Sequence, residues 1–417
     1  MKKKSVAVVI ISNGPGELTT WVKPVIYQLK KLAKLSDSKI NLSLRLTLVP
    51  CPNATGREFE VARNWHQFDV ITSASNFINL LLKPSKFAHW PDKGIVVFLG
   101  GDQFWSILLA KRLGYKSITY AEWNARWPRW NDLTAAMNEE VKEKLSKKNK
   151  KNCIVIGDLM ADINNKDNSS MKLNEDKWLA ILPGSKNTKL SIGIPYFLEM
   201  ADLIAQNNTN IKMIIPIAPT TNLDDYLYFQ SDKNPIAKFY SSKIKSITKE
   251  ENSIFDYIIE TEKKTKLYIL SRHPQYEILS NCNLAVTTVG ANTAELAAIN
   301  LPMIVVLPTQ HLNNMKAWDG MIGILAKISF LNKIFVALLK GWYLKNRTYF
   351  AWPNIKARKF IVPERIGDYS PKKIAQEVLL LIEDQDSLQN QRFNLSKQRG
   401  QKGASKKLAK IIFKLIN

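Results

Sequence analysis

The sequence predicts an α/β fold with two Rossmann-like domains. Two matched strand-to-turn transitions and the chain's length predict it. The apolar run 6–11 ends in Ser12-Asn13-Gly14-Pro15-Gly16-Glu17, and the run 178–182 ends in Pro183-Gly184-Ser185-Lys186. Each reads as a buried parallel strand, a tight glycine turn and the start of a helix. Such turns aim backbone N–H groups and a helix N-terminus above the sheet, which favours anionic ligands. Two such beginnings imply two halves with a cleft between them, and 417 residues are too many for one core.

Strand and helix patterns alternate through the first half. Strands are expected at 6–11, 42–50, 70–72, 94–99, 117–120 and 154–156, with helices at 20–35, 104–113 and 133–145. The polar stretch 164–174 interrupts this pattern and marks the domain boundary. Beyond it, strands are expected at 178–182, 211–217, 284–287 and 303–307, with a helix near 194–206. The basic stretch 230–266 suits an insertion or a loop. The domains are therefore expected at 1–165 and 175–365, followed by a basic helical segment at 366–417. In that segment Leu408, Ile411, Ile412, Leu415 and Ile416 form an apolar stripe at helical spacing.

The net charge of +24 predicts an anionic partner: a membrane surface, nucleic acid or a phosphorylated substrate. Three isolated cysteines fit a reduced cytosolic compartment. The run after Lys2-Lys3-Lys4 is too short for a signal peptide and lacks a small-residue cleavage site, so it is read as the first strand. The four histidines form no metal-binding pair, and there is no P-loop motif.

Three further stretches carry candidate chemistry. Gly100-Gly101-Asp102 follows a strand, where Asp102 can take a proton from an attacking hydroxyl or simply cap the helix after it. Gly290-Ala291-Asn292-Thr293-Ala294-Glu295 follows another strand and starts a helix of small residues. There Glu295 can accept both hydroxyls of a ribose, or merely favour the positive end of the helix. Within 352–364, Arg358 can clamp a diphosphate with its planar fork, or belong to a basic surface loop.

Taken in order, these pieces resemble the lipid-A-disaccharide synthase family, inverting glycosyltransferases of the GT-B fold. The matching pieces are 97–102, 156–162, 179–185, the 290–295 turn with 302–305, and 353–364. The resemblance implies that Asp102 is the general base and Glu295 the acid of the nucleotide pocket. It implies that Gly184, Ser185 and Lys186 form the diphosphate turn. Gly290, Asn292, Asn354 and Arg358 complete the donor site, and Gly14, Gly16, Glu17 and Trp127 lie on the acceptor side. It implies no metal and no cofactor. The chain departs from the family in having Lys186 where the family has arginine, in its Asn13-Gly14-Pro15-Gly16-Glu17 turn, in its aromatic region 123–130, and in one residue fewer between Asn354 and Arg358.

The implied reaction moves a sugar from a nucleotide diphosphate sugar, UDP first among them, to a lipid-linked sugar acceptor. The expected location is the cytoplasmic face of an anionic membrane, held peripherally. The stretch 321–344 is apolar, but its Lys327, Lys333 and Lys340 disfavour a span; interleaved aromatics and lysines suit an interfacial surface instead. A nucleotide-sugar 2-epimerase of the same fold and a non-catalytic RNA- or membrane-binding protein are the rival readings. RNA is set aside for want of a binding signature, and the oligomeric state is left open.

Overall fold

Val6 to Ile11 are apolar at every position, so neither face of their strand tolerates water. In the computed structural model that strand is central and these residues are at most 1% exposed. The structure describes residues 4–35, 40–50, 56–163, 173–174, 176–251, 253–272, 275–309, 349–398 and 400–416. They form two compact units, Met1–Ile163 with Gly400–Asn417, and Asn164–Arg399.

The first unit is built on β1 (Lys4–Ser12), β2 (Ile40–Leu48), β3 (Val70–Thr72), β4 (Lys93–Phe98), β5 (Lys116–Ala121), β6 (Leu133–Ala136) and β7 (Cys153–Val155). Their order is β3-β2-β1-β4-β5-β6-β7, with every pairing parallel. The helix expected at 133–145 is replaced by β6 and a short helix, Glu139–Glu143. Apolar content alone suggested a helix. The buried slot between β5 and β7 takes Leu133–Ala136 as a strand, and Asn138 then caps the helix by accepting from Val141 N at 2.9 Å.

The second unit contains β8 (Lys177–Leu182), β9 (Ile211–Pro216), β10 (Ile244–Lys249), β11 (Tyr257–Thr261), β12 (Lys266–Leu270), β13 (Leu284–Thr288), β14 (Met303–Pro308) and β15 (Glu364–Gly367). The order is β10-β11-β12-β9-β8-β13-β14-β15, parallel except for the antiparallel edge β10-β11-β12. That edge is a correction to the loop expected at 230–266. Its outer strand β10 has no buried residue and only two apolar ones, Ile244 and Ile247, so it lacks the continuous apolar run of a central strand.

The expected segment 366–417 is divided between the units. Helices Pro371–Leu381 and Gln385–Gln398 belong to the second, where Gln391 Oε1 accepts from Met303 N at 3.2 Å. Helix Ala404–Ile416 belongs to the first. Its Leu408, Ile412 and Ile416 share a core with Val25, Ile26 and Leu29 of helix Lys23–Leu35. The apolar stripe is therefore core packing. Buried Asp162 fixes this helix by accepting from Gly403 N (2.6 Å), Ser405 N (2.7 Å) and Ser405 Oγ (2.7 Å).

Asp162→Ala is expected to destabilise the first unit by about 2 kcal/mol, the upper end for losing a helix cap. It also opens the 399–403 link to protease. Unfolding followed in parallel with limited proteolysis checks this; a variant with wild-type stability contradicts the assigned role.

Candidate functional site

In a doubly wound sheet, ligands bind beyond the carboxyl ends of the strands where the strand order reverses. In the first unit that point lies between β1 and β4, and in the second between β8 and β13. Nearly all of the residues singled out in the sequence lie at or beside these two points.

At the first reversal β1 ends in buried Ser12 and is followed by buried Asn13, and β4 is followed by Leu99 and Gly100. Ser12 Oγ donates to Leu99 O at 3.1 Å, tying the two strand ends together. Glu17 lies over both turns: a Cβ on Gly100 would come within 3.0 Å of Glu17 Cβ, and one on Gly14 within 2.0 Å of Glu17 Oε2. Gly16 O accepts from Thr19 and Thr20 hydroxyls at 3.0 and 2.8 Å. The helix that follows opens with a π-helical turn, Leu18–Val22, a distortion that concentrates at functional sites.

Asp102 caps helix Gln103–Leu113 by accepting from Phe104 N at 2.9 Å through Oδ1. Its Oδ2 lies 3.5 Å from Arg126 Nη1, and both side chains are solvent-accessible. The capping reading and a chemical role are compatible, because the cap uses one oxygen only. Gln103 fixes the loop that carries Arg126. Its amide donates to Asn124 O and accepts from Arg126 N, both at 2.8 Å.

The same loop builds an aromatic shelf beside Asp102. Trp127 and Trp130 stack with centroids 5.2 Å apart, and Phe104 packs against them at 5.7 and 6.4 Å. The two indoles are 38% and 49% exposed. Lys111 sits 5.3 Å over the Trp130 ring. Arg112 holds the end of helix Phe77–Leu82, whose Ile78 and Leu82 are exposed. Such an apolar surface rimmed by cations marks an interaction site more often than solvated surface.

At the second reversal, Pro183-Gly184-Ser185 leads from β8 into helix Asn187–Asn207, with Lys186 in the N-cap position. The helix begins seven residues before the expected 194. Pro195 lies inside this helix. Val289-Gly290 leads from β13 into helix Asn292–Ala298. Asn292 Nδ2 donates to Thr287 Oγ1 at 3.2 Å, and Glu295 Oε2 accepts the Tyr276 hydroxyl at 3.2 Å.

Asn354 departs from its expected contact with a donor. It is fully buried: Nδ2 donates to Val362 O (2.9 Å) and Glu364 Oε1 (2.8 Å), and Oδ1 accepts from Ile361 N (2.7 Å) and Val362 N (3.0 Å). Four bonds exhaust a primary amide. Asn354 and buried Glu364, which also accepts from Phe350 N and Ala351 N, shape the segment instead. Trp352 N then donates to Thr293 Oγ1 at 3.0 Å, seating helix Trp352–Ala357 against Asn292–Ala298. Exposed Arg358 closes that helix in the left-handed region, at φ +53°. A non-glycine residue there carries backbone strain, which concentrates at functional positions.

Sequence reasoning did not single out Lys189, Thr288, Tyr276 or Arg126. Glu364 stands out in the sequence beside Asn354 and Arg358, and the fold shows it buried. Among the described residues no group of three His, Cys, Asp or Glu side chains is placed to hold a metal ion, and no helix is long and apolar enough to cross a membrane. The stretch 321–344 lies outside the described residues.

No protein-family model matches the chain. It is 25% identical over 267 residues to the lipid-A-disaccharide synthase of Sulfurihydrogenibium sp. (strain YO3AOP1), covering 62% of this chain and 57% of that protein. It is 24% identical over 243 residues to the Nitrosococcus oceani protein of the same name, covering 58% and 49%. The matched region thus spans about half the length of these curated relatives. Among solved structures, S. aureus MnaA bound to UDP matches with a TM-score of 0.55 at 12% identity, covering 99% of this chain and 98% of that one. The UDP-GlcNAc 2-epimerase of Neisseria meningitidis bound to UDP-GlcNAc matches at 0.51 and 13%, covering 98% and 100%.

Arg358→Gly is expected to leave stability unchanged or raise it by up to about 1 kcal/mol, since glycine relieves the αL strain. Asn354→Ala is expected to cost about 3 kcal/mol by stranding buried partners. Chemical denaturation of the two variants distinguishes these roles. The chain has the GT-B fold, with a Rossmann-like sheet in each unit.

Proposed function

We propose that the protein is an inverting glycosyltransferase that moves a sugar from a nucleoside diphosphate, UDP in the first instance, to a lipid-linked acceptor at an anionic membrane surface. The observation that carries this reading is the difference between the two reversals. The second has glycine turns, lysines and a carboxylate on a helix's first turn, a set suited to a nucleoside diphosphate. The first has an accessible carboxylate beside an exposed aromatic shelf, a set suited to an apolar acceptor that must give up a proton. The partial sequence match to lipid-A-disaccharide synthases supports the reaction class.

In this reading the acceptor hydroxyl gives its proton to Asp102 while its oxygen bonds to the anomeric carbon. The bond from that carbon to the diphosphate oxygen breaks, and the departing charge is received by the turn at Gly184 and Ser185, by Lys186 and by Arg358. Glu295, oriented by Tyr276, accepts the ribose hydroxyls. Gly290 and Asn292 form the second turn of the donor site. Gly14, Gly16 and Glu17 shape the acceptor side, and Trp127 with Trp130 bears the acceptor's apolar part at the lipid interface. Asn354 supports the donor site from beneath, through Glu364 and helix Trp352–Ala357.

A 2-epimerase is the second reading, favoured by full-length fold matches to proteins described as such. It gives the aromatic shelf no task.

The experiment is a thermal-shift screen with UDP, GDP and CMP, followed by transfer assays with anionic vesicles carrying a lipid-linked sugar. Asp102→Asn keeps the helix cap, because asparagine caps as well as aspartate. It is expected to keep the UDP shift and lose about 10²–10⁴-fold in kcat, the range for a general base. Full activity in that variant excludes Asp102 as the base. Conversion of UDP-GlcNAc to its C2 epimer with no acceptor present replaces the transferase reading with the epimerase.

A second prediction concerns the shelf. Trp127→Ser with Trp130→Ser is expected to reduce flotation with anionic vesicles while the UDP shift is unchanged. Unchanged flotation removes the shelf from the membrane contact.

A further inference from the structure

We propose that Lys189 is a second phosphate-binding cation of the Gly184 turn and that it takes up a proton when a diphosphate binds there. The inference rests on the donor-site reading above and deepens it.

The geometry is that of a side chain laid across both glycine turns of the second reversal. A Cβ on Gly184 would lie 2.8 Å from Lys189 Cβ and 3.2 Å from its Cδ, and one on Gly290 would lie 2.7 Å from its Nζ. Gly184 and Gly290 also have φ of +115° and +150°. Glycine at both turns is therefore what gives this lysine its path. Its ammonium reaches the end of β13 and donates to Val289 O at 2.6 Å. Lysine has three N–H donors, so others remain for a ligand.

An independent feature marks the same spot. Thr288, the last residue of β13, is 6% exposed, and its hydroxyl is buried without a hydrogen bond among the described residues. That oxygen would lie 3.3 Å from a Cβ on Gly184. A buried polar atom without a partner calls for an explanation such as a missing ligand. A phosphate oxygen above the turn supplies an acceptor to Thr288 and to Lys189 at once.

The charges around Lys189 work against its ammonium. Burial, with a smaller contribution from neighbouring Lys186, pushes its pKa down to about 8. Thr288, Val289 and Gly290 at the end of β13, and Pro183 to Ser185 on the facing turn, carry no charge. On helix Asn292–Ala298 the titratable residue is Glu295, whose carboxylate is engaged by Tyr276. An incoming diphosphate supplies the missing negative charge. Its affinity is thus greatest while Lys189 is protonated and falls as pH rises through about 8. Between pH 7 and pH 9 the fall is about tenfold by linkage.

The test is calorimetry of UDP and inorganic pyrophosphate on the full chain at pH 7, 8 and 9, in two buffers of different ionisation enthalpy. Above pH ~7.5 the terminal phosphate of UDP is almost fully ionised, so proton uptake on binding UDP belongs to the protein; pyrophosphate, which still titrates in this range, reports affinity only. Wild type is expected to take up about half a proton per UDP at pH 8. Lys189→Met is expected to bind UDP about 10–100-fold more weakly, the size of a charge-assisted hydrogen bond, with no uptake. Its melting temperature without ligand is expected to be equal or higher, because a buried charge is gone. Lys186→Met is expected to weaken binding and to keep an uptake whose midpoint moves to higher pH, because the like charge that lowers Lys189 is gone.

UDP binding with no proton uptake, at equal affinity in wild type and Lys189→Met, overturns the inference and leaves Lys189 as a clip between β13 and the helix. No binding of UDP, GDP or pyrophosphate to the folded wild type at any pH overturns the donor-site reading itself, and this inference with it.

Discussion

The constraint on which the rest depends is topological. Crossover connections that wind outward in both directions from a central pair leave no helix over the carboxyl ends of that pair. In the first unit the pair is β1 and β4, and in the second it is β8 and β13. Four stretches far apart in sequence, near residues 13, 101, 184 and 290, are brought to those ends. Each is glycine-containing because the chain must turn tightly there and because neighbouring side chains occupy the space. Glu17 crowds Gly100, and Lys189 crowds both Gly184 and Gly290. The glycines therefore serve packing and ligand approach together, and neither demand alone explains them.

Around these turns the polar side chains divide by how fully their hydrogen bonds are used. Asn354 has all four occupied, so its contribution is rigidity. Asp102 uses one oxygen for its cap and leaves the other accessible beside Arg126. Thr288 is buried without a partner among the described residues, and Lys189 sits where its charge is disfavoured. Spent groups hold the shape, and the unspent groups are those the proposal assigns to a ligand. This division cannot be seen in residue identity: Asn354 and Asn292 read alike in sequence, yet the first is fully buried and the second only partly so.

The fold was legible where apolar runs were continuous and bounded by turn residues. β1, β8 and β13 follow directly from that pattern, and so do Asp102 and Gly290 at strand ends. It was illegible where a strand's identity came from its neighbours. Leu133-Thr134-Ala135-Ala136 becomes a strand because β5 and β7 leave a slot for it. Residues 244–270 add an antiparallel edge whose outer strand has no buried residue to announce it. The stripe on 408–416 was correctly seen as helical, but which sheet it covers depends on Asp162, some 240 residues earlier. In the candidate site, turn positions were readable because glycine is informative. Lys189 was not, because in a chain with 60 lysines and arginines one more lysine carries no signal until its burial is known.

Burying a lysine opposes folding, since removing an ammonium from water costs free energy that one carbonyl contact does not restore. Lys189 does so beside Lys186, at a helix N-terminus where a positive charge is also disfavoured by the helix dipole. Three unfavourable terms converge on one amine: burial, a like charge and the dipole. In the proposed reading the like charge and the dipole attract an entering diphosphate, and burial strengthens that attraction by lowering the local dielectric. A site strained in this way is preorganised: its dipoles and charges are already placed before the anion arrives, and little reorganisation is left to oppose binding. By the same logic, the proposed donor site would hold a leaving diphosphate with lysines where a bidentate arginine fork is expected. Two point charges at different depths, with the exposed Arg358 on a neighbouring helix end, distribute the stabilisation over several donors.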